Sequence, residues 1–460
     1  MTREKLGRHT LAHGDCLEVL RTLEDNTVDA VITDPPYGLG FMGKAWDALP
    51  PGDEWAREVF RVCKPGAHLV AFGGTRTIHR LTTALENAQW TIRDMWCWTY
   101  ASGFPKSLAV DQAIERRRHD GDQVRQVTRW IREMRDRAGI SNEEIDRAFG
   151  FHGMAGHWSS QASQPAIPTL DQVPTLLAVL KVDTVPDEIG RLLVELNGNK
   201  GEPGHAWHDR QVVARGVSSL GGTVAAGERD LAFQERHKGM VYDITAPATE
   251  EGRRWQGYGT ALKPAYEPAV LARKPLDGTV AYNALLWGTG AINIDGARVE
   301  GGRWPANTYH ASKPSTAERE AGCTHLAQHA GGELTGRKEG SAGLSSPRAG
   351  AGRLSSGRGN VHPTVKPLAV MRQLVRLLAP QQDALVLDTF LGSGTTLLAC
   401  ELEGHRCLGI EREAEYLPII RARFGGLPVL RRLQSGDSVS DEEAAALMAQ
   451  GELFDTGRGR

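Results

Sequence analysis

The chain predicts a doubly wound α/β fold, a mostly parallel sheet with helices on both faces, interrupted by an all-helical insert. Between residues 10 and 100, short apolar runs alternate with polar-faced helical stretches, the rhythm of a parallel sheet. Far along the chain, Ala384-Leu385-Val386-Leu387-Asp388 reads as a strand running into Phe390-Leu391-Gly392-Ser393-Gly394-Thr395-Thr396, a glycine turn that opens a helix. Between these two regions, residues 114–196 lose the strand rhythm and read as helix.

Taken in order, Gly14-Asp15 closes a first strand, and Asp15 also stands where an N-cap for a helix over residues 16–23 belongs. The apolar strand Ala30-Val31-Ile32-Thr33 ends at Asp34-Pro35-Pro36-Tyr37. Residues 38–47, with Phe41 and Trp46, are expected to form a lid or target-side loop. A helix over 54–63 and the turn Lys64-Pro65-Gly66 lead to a strand at 68–72. A helix over 77–87 then precedes a strand at 92–100, on which Trp96 and Trp98 alternate as core residues do. These elements make residues 1–113 one half of the main domain.

The insert is expected over residues 114–197. Its basic amphipathic helix at 124–137 carries Arg125, Arg129, Arg132, Arg135 and Arg137 and is stopped by Gly139. Ser141-Asn142-Glu143-Glu144 starts a second helix with the pattern of a capping box, and further helical segments follow at 151–160 and 170–180. Helix, glycine turn and capped helix outline a helix-turn-helix module, which would make Arg129 and Arg132 DNA contacts; the alternative is a plain helical packing domain.

Residues 198–240 are polar and glycine-rich, a linker or mobile loop. Sheet-like character returns over 241–300. Residues 301–360 hold too little apolar surface to fold alone and are expected to be flexible and to order on a target. Residues 361–430 form the second half of the main domain, and 431–460 a tail.

At 460 residues the chain can hold two or three domains. Its net charge of −2 means that affinity for nucleic acid must come from local basic stretches. The six cysteines form no Cys-x-x-Cys pair, and no His cluster has zinc spacing, so no metal and a reducing, cytoplasmic setting are expected. No apolar run approaches the ~20 residues of a membrane span, and no apolar signal core follows the first residues.

The glycine loop excludes two common cofactors. A phosphate-cradling P-loop needs Lys after its last glycine, and Thr395 stands there; a dinucleotide fingerprint needs a small residue where Leu397 stands. The next strand, His405-Arg406-Cys407-Leu408-Gly409-Ile410, ends at Glu411, placed to accept hydrogen bonds from ribose hydroxyls. That pattern suits S-adenosylmethionine, with Asp388, Phe390, Gly392, Ser393, Gly394, Thr395 and Glu411 as its candidate contacts. An ordinary solvated acid is the other reading of Glu411.

Asp34-Pro35-Pro36-Tyr37 suits chemistry at an exocyclic amino group. Such a nitrogen is a poor nucleophile because its lone pair is delocalised into the ring. The Asp34 carboxylate and Pro35 carbonyl are acceptors that can hold its two hydrogens, while Pro35 and Pro36 remove competing donors. Tyr37 offers a face on which an everted base can stack. Methylation at cytosine carbon-5 would need a thiol, in that class one following a proline, and no cysteine here follows a proline.

On these residues the chain resembles the beta-class amino-group DNA methyltransferases, Rossmann-like enzymes with the permuted order of catalytic before cofactor motif. His362-Pro363-Thr364-Val365-Lys366-Pro367 is similar to that family's lead-in to the glycine loop, which implies cofactor-side roles for Thr364 and Lys366. Gly14-Asp15 resembles the acid that meets the cofactor's adenine. Phe72-Gly73-Gly74-Thr75-Arg76 and Ser102-Gly103-Phe104-Pro105-Lys106-Ser107 resemble segments of phage-type members, implying DNA contacts from Phe104 and Lys106. Gly257-Tyr258-Gly259-Thr260-Ala261-Leu262-Lys263-Pro264 and Tyr266-Glu267-Pro268-Ala269-Val270-Leu271-Ala272 resemble the late strands that wall the base pocket, with Tyr258 and Lys263 facing DNA.

The resemblance implies double-stranded DNA as partner, in the cytoplasm of a bacterium or phage-infected host. It leaves open a cognate restriction endonuclease and the oligomeric state. Because serine commonly heads the tetrapeptide of cytosine-N4 members, Asp34 points to adenine N6. The rival readings are a cytosine-N4 enzyme, a DNA-binding regulator with an inactive methyltransferase domain, and a methylase of RNA or of a protein amide.

Overall fold

The computed structural model describes residues 1–39, 47, 49–101, 107–117, 120–151, 153–161, 165–199, 204–217, 241–329, 358–435 and 443. Phe104, Lys106, the glycine-rich stretch 218–240, most of the 330–360 region and nearly all of the tail lie outside the described residues.

Eleven strands occur among the described residues: β1 (Thr2–Leu6), β2 (His9–His13), β3 (Val28–Thr33), β4 (Cys63–Phe72), β5 (Thr91–Thr99), β6 (Gln211–Val217), β7 (Val241–Ala246), β8 (Tyr266–Arg273), β9 (Thr308–His310), β10 (Leu385–Asp388) and β11 (Arg406–Glu411). The chain divides into two compact units. One comprises Met1–Phe104, Ser219–Lys238 and Pro264–Arg460; the other comprises Pro105–Ser218 and Gly239–Lys263.

The first unit is built on a nine-stranded sheet ordered β1-β2-β11-β10-β3-β4-β8-β5-β9. Neighbours from β2 through β4 run parallel, β8 is antiparallel to both β4 and β5, and β9 adds a parallel edge. This is the mostly parallel, doubly wound sheet expected. Alternation explains the two layers: Ala30 and Ile32 of β3 pack into the core on one face and Val31 into the core on the other, which Val28 joins across the register shift between Val28 and Ala30. Helix Leu368–Leu378 covers the first face, and helices Asp53–Val62 and Ile78–Asn87 cover the second. Trp96 and Trp98 are buried in the first.

The chain leaves this sheet after β5 and re-enters at β8. The two strands pair with Thr99 opposite Tyr266, and Tyr100 N donates to Ala265 O at 2.9 Å, so exit and return are neighbours.

The second unit contains the expected helices. Gly121–Ala138 ends at left-handed Gly139, and Asn142–Phe149 begins with a full capping box between Ser141 and Glu144. Val173–Leu180 and Asp187–Gly198 pack with them around Val127, Ile131, Ile145, Trp158, Leu176 and Leu193.

Three expectations are corrected. The stretch expected as a linker is not structureless, because β6 within it pairs with β7 in an antiparallel hairpin. Residues 241–263 belong to this second unit rather than to the sheet: Thr249 donates from N and Oγ1 to the buried Glu115, whose carboxylate and that of Asp111 also hold Arg210. Finally, residues 301–329 are not a free segment. β9 joins the sheet edge, Glu318 Oε1 accepts from Leu368 N at 2.6 Å, and Glu320 Oε2 accepts from Gly359 N and Asn360 N. Glutamate carboxylates answering backbone donors hold this stretch where apolar surface is scarce.

Candidate functional site

β3 and β10 are parallel neighbours, with Val386 opposite Ala30 and Leu387 opposite Val31. From β10 the chain moves to β11 on one side; from β3 it moves to β4 on the other. The sheet order therefore reverses between them, and ligands of such sheets settle beyond the carboxyl ends of the strands at that point. The ends here are Thr33-Asp34 and Asp388-Thr389. Thr33 Oγ1 donates to Asp388 Oδ1 at 2.7 Å, which joins the two motifs directly.

Gly392 and Gly394 have φ of +56° and +85°, left-handed backbone that a side chain rarely adopts. A Cβ on Gly392 would stand 2.8 Å from His362 Nε2. Glu411, at the tip of β11, accepts from Gly392 N at 2.7 Å through Oε2 and from Glu413 N at 2.8 Å through Oε1. Burial lifts its carboxyl to about 7. Gly14 N donates to Glu411 O, so Asp15 follows directly; its Oδ1 caps Leu17 N at 2.9 Å, the capping alternative foreseen for it.

Several residues expected to touch the cofactor have side chains committed to the frame. Asp388 accepts from Thr33, from Thr396 Oγ1 and from Phe390 N, and burial pushes its carboxyl to about 6. Phe390 packs half-buried near Trp55. Ser393 Oγ and Thr395 Oγ1 both accept from Arg423 Nη1, at 3.0 and 2.9 Å, and so turn toward that fully buried guanidinium. Thr364 is exposed.

Lys366 is the larger departure, since it lies against the tetrapeptide rather than the glycine loop. Its Nζ is 2.5 Å from Asp34 Oδ2, 3.2 Å from Glu267 Oε2 and 3.1 Å from Tyr37 Oη. Tyr37 Oη in turn stands 2.9 Å from Asp34 Oδ1 and 3.0 Å from Glu267 Oε2. The tetrapeptide backbone is fixed by Asp47, whose Oδ1 accepts from Tyr37 N and Gly38 N, and by Thr77 Oγ1, which donates to Tyr37 O.

Burial raises the Asp34 carboxyl even against the adjacent Lys366. Burial pushes Glu267 the same way, but the Lys366 charge and the hydrogen bonds from Lys366 and Tyr37 carry it below the usual range. Burial would lower Lys366, yet the two carboxylates raise it. The Tyr37 hydroxyl is driven well up by burial and by both acids.

The sequence reading missed Asp47 and Arg423, and it placed Glu267 only within a segment walling the base pocket, with no role of its own. Glu267 had a signal, an acid between Tyr266 and Pro268 at the start of an apolar strand; the other two are recognised only through their partners. Of the expected DNA contacts, Arg129 and Arg132 are exposed on the helix Gly121–Ala138, with Arg132 Nε 3.9 Å from Asp136 Oδ2. Tyr258 and Lys263 lie in the second unit, not on a strand of the sheet, with the exposed Tyr258 ring against Trp255.

A family model described as DNA methylase, of the N6/N4 methyltransferase type, matches residues 28–118 and 255–422. Type II methyltransferase M2.MboI of Moraxella bovis is 42% identical over 71 residues, covering 15% of this chain and 26% of that protein. Type II methyltransferase M.HpaI of Haemophilus parainfluenzae is 32% identical over 101 residues, covering 20% and 32%. The chain thus spans about a third or less of the length of these two curated relatives. Among solved structures, the cytosine-N4-specific PvuII DNA methyltransferase overlaps 97% of this chain and 93% of its own, at 13% identity and a TM-score of 0.39, too loose a fit to bear on the target base.

Proposed function

The chain belongs to the N6/N4 DNA methylase family, whose model matches more than half its length, and on that premise we propose that it methylates the N6 amino group of adenine in double-stranded DNA with S-adenosylmethionine as donor. The observation that carries this reading is the meeting of Asp34-Pro35-Pro36-Tyr37 and the glycine loop at adjacent strand ends, linked by the Thr33–Asp388 hydrogen bond.

The residues present fit the cofactor. Gly392 and Gly394 leave the turn free of side chains, Glu411 sits at the lip of the neighbouring strand to meet ribose hydroxyls, and Asp15 stands beside it. When bound, S-adenosylmethionine supplies an electrophilic methyl group on a sulfonium. Asp34 and the Pro35 carbonyl accept the two amino hydrogens, which aims the nitrogen lone pair along the transfer direction. The cationic amine that results must shed one proton, and Asp34, raised by burial, is suited to take it. Tyr37 supports the base.

Aspartate at the head of the tetrapeptide favours adenine; cytosine N4 is the second reading, because the same acceptors serve both amino groups. We assign DNA contacts to the exposed Arg129 and Arg132 of the second unit, and to the chain a place beside a restriction endonuclease, as the type II names of its relatives suggest. The deciding experiment is mass spectrometry of nucleosides from duplex DNA treated with the protein and labelled cofactor. N6-methyladenine is expected; 4-methylcytosine alone rejects the adenine assignment, and no methylated base rejects the enzymatic one.

A further inference from the structure

Both oxygens of Asp34 are already engaged, Oδ2 by the Lys366 ammonium and Oδ1 by the Tyr37 hydroxyl. An entering amino group needs one of those oxygens, beside the Pro35 carbonyl. A lysine left on Asp34 would also set a positive charge beside the nitrogen as that nitrogen becomes cationic, opposing transfer. The lysine therefore needs somewhere else to go.

The structure offers one partner for both occupants. Glu267, on β8, already stands 3.2 Å from Lys366 Nζ and 3.0 Å from Tyr37 Oη. Only short movements are required for either group to exchange its share of Asp34 for a full contact with Glu267. The charges agree with that division of labour. Two carboxylates and one ammonium leave one net negative charge, which complements a cationic amine, and the environments separate the acids so that Asp34 is the better proton acceptor and Glu267 the more persistent anion.

We propose that Glu267 is a positioning residue for methyl transfer: as the base enters, the Lys366 ammonium and the Tyr37 hydroxyl pass from Asp34 to Glu267, freeing the Asp34 carboxylate to accept one amino hydrogen beside the Pro35 carbonyl and then the released proton. This rests on the amino-methylation reading above. No covalent change accompanies the exchange; the proton later released by the amine goes to Asp34 and then to solvent.

The test is single-turnover methylation of duplex DNA at saturating cofactor, with cofactor affinity measured separately, for the parent protein, Glu267→Gln, Glu267→Asp and the pair Glu267→Gln with Lys366→Met. Without an anion at 267, Lys366 stays on Asp34, and the rate is expected to fall about 100-fold, the scale of losing one preorganised contact, at unchanged cofactor affinity. Removing the lysine from that background should raise the rate again by about tenfold or more, a reversal that a merely structural glutamate would not produce. Glu267→Asp keeps the charge and should remain within about tenfold of the parent. The proposal falls if the double variant is as slow as Glu267→Gln, if Glu267→Gln is as fast as the parent, or if Glu267→Asp is as slow as Glu267→Gln. A parent protein that binds cofactor but methylates no base removes the underlying reading as well, and is told apart by that control.

Discussion

Thr33 Oγ1 and Asp388 Oδ1, 355 positions apart in the chain, are joined by a buried hydrogen bond of 2.7 Å. It ties the strand end that carries the acidic tetrapeptide to the strand end that carries the glycine loop. Thr33→Val keeps the shape and removes the donor, leaving Asp388 with fewer partners in a dry site. A loss of about 1–3 kcal/mol is expected, read as a lower urea midpoint at unchanged slope.

Asp34→Ala removes the acceptor proposed to hold the amino group and take its proton. Turnover should fall by about 1,000-fold or more while cofactor affinity, set on the other strand end, stays within about twofold. Isothermal titration beside labelled-methyl transfer checks both; unchanged turnover would reject the role of Asp34.

Gly392→Ala places a methyl group on left-handed backbone, 2.8 Å from His362 Nε2. Strain of about 1–2 kcal/mol is expected, with the turn displaced and cofactor affinity reduced about tenfold or more. Calorimetric titration with the cofactor reads the loss directly.

Arg423→Met withdraws the guanidinium that Ser393 O, Ser393 Oγ and Thr395 Oγ1 share. About 2 kcal/mol of stability should go with these charge-assisted hydrogen bonds. Cofactor affinity should drop in parallel; a lower melting temperature with undiminished affinity would show that the arginine supports the fold but not the loop.

The buried carboxyls set a pH dependence. Asp388 and Glu411, raised by burial to about 6 and about 7, bind protons more tightly in the folded chain than in the unfolded one, where carboxyls titrate near pH ~4. Their contribution to stability is complete below about pH 4 and is lost as pH rises through about 6 to 7. Urea midpoints at several pH values should show this fall, and Glu411→Gln should flatten it between about pH 4 and 7.

Much of this organisation was legible in the chain. The tetrapeptide and the glycine loop each follow an apolar strand, and strand-turn-helix patterns are local, so both motifs and the doubly wound sheet could be placed. Glu267 and Lys366 were harder because their meaning is non-local: the lysine sits 332 positions from Asp34, and its sequence setting pointed to the cofactor side. The β6–β7 hairpin escaped because its strands are separated by a long glycine-rich stretch, and Val212, Val213 and Ile244 are exposed, so pairing across that stretch rather than a buried alternating face sets their conformation.

The neighbouring exit and return of the chain at Tyr100 and Ala265 have an evolutionary consequence. Two adjacent antiparallel strands need only a tight turn to join them, so whatever is strung between their ends is a removable cassette as far as the sheet is concerned. The junction lies at the same sheet edge as Asp34, with Glu267 two residues past Ala265, so a cassette can be exchanged there only if the first residues of β8 keep their place.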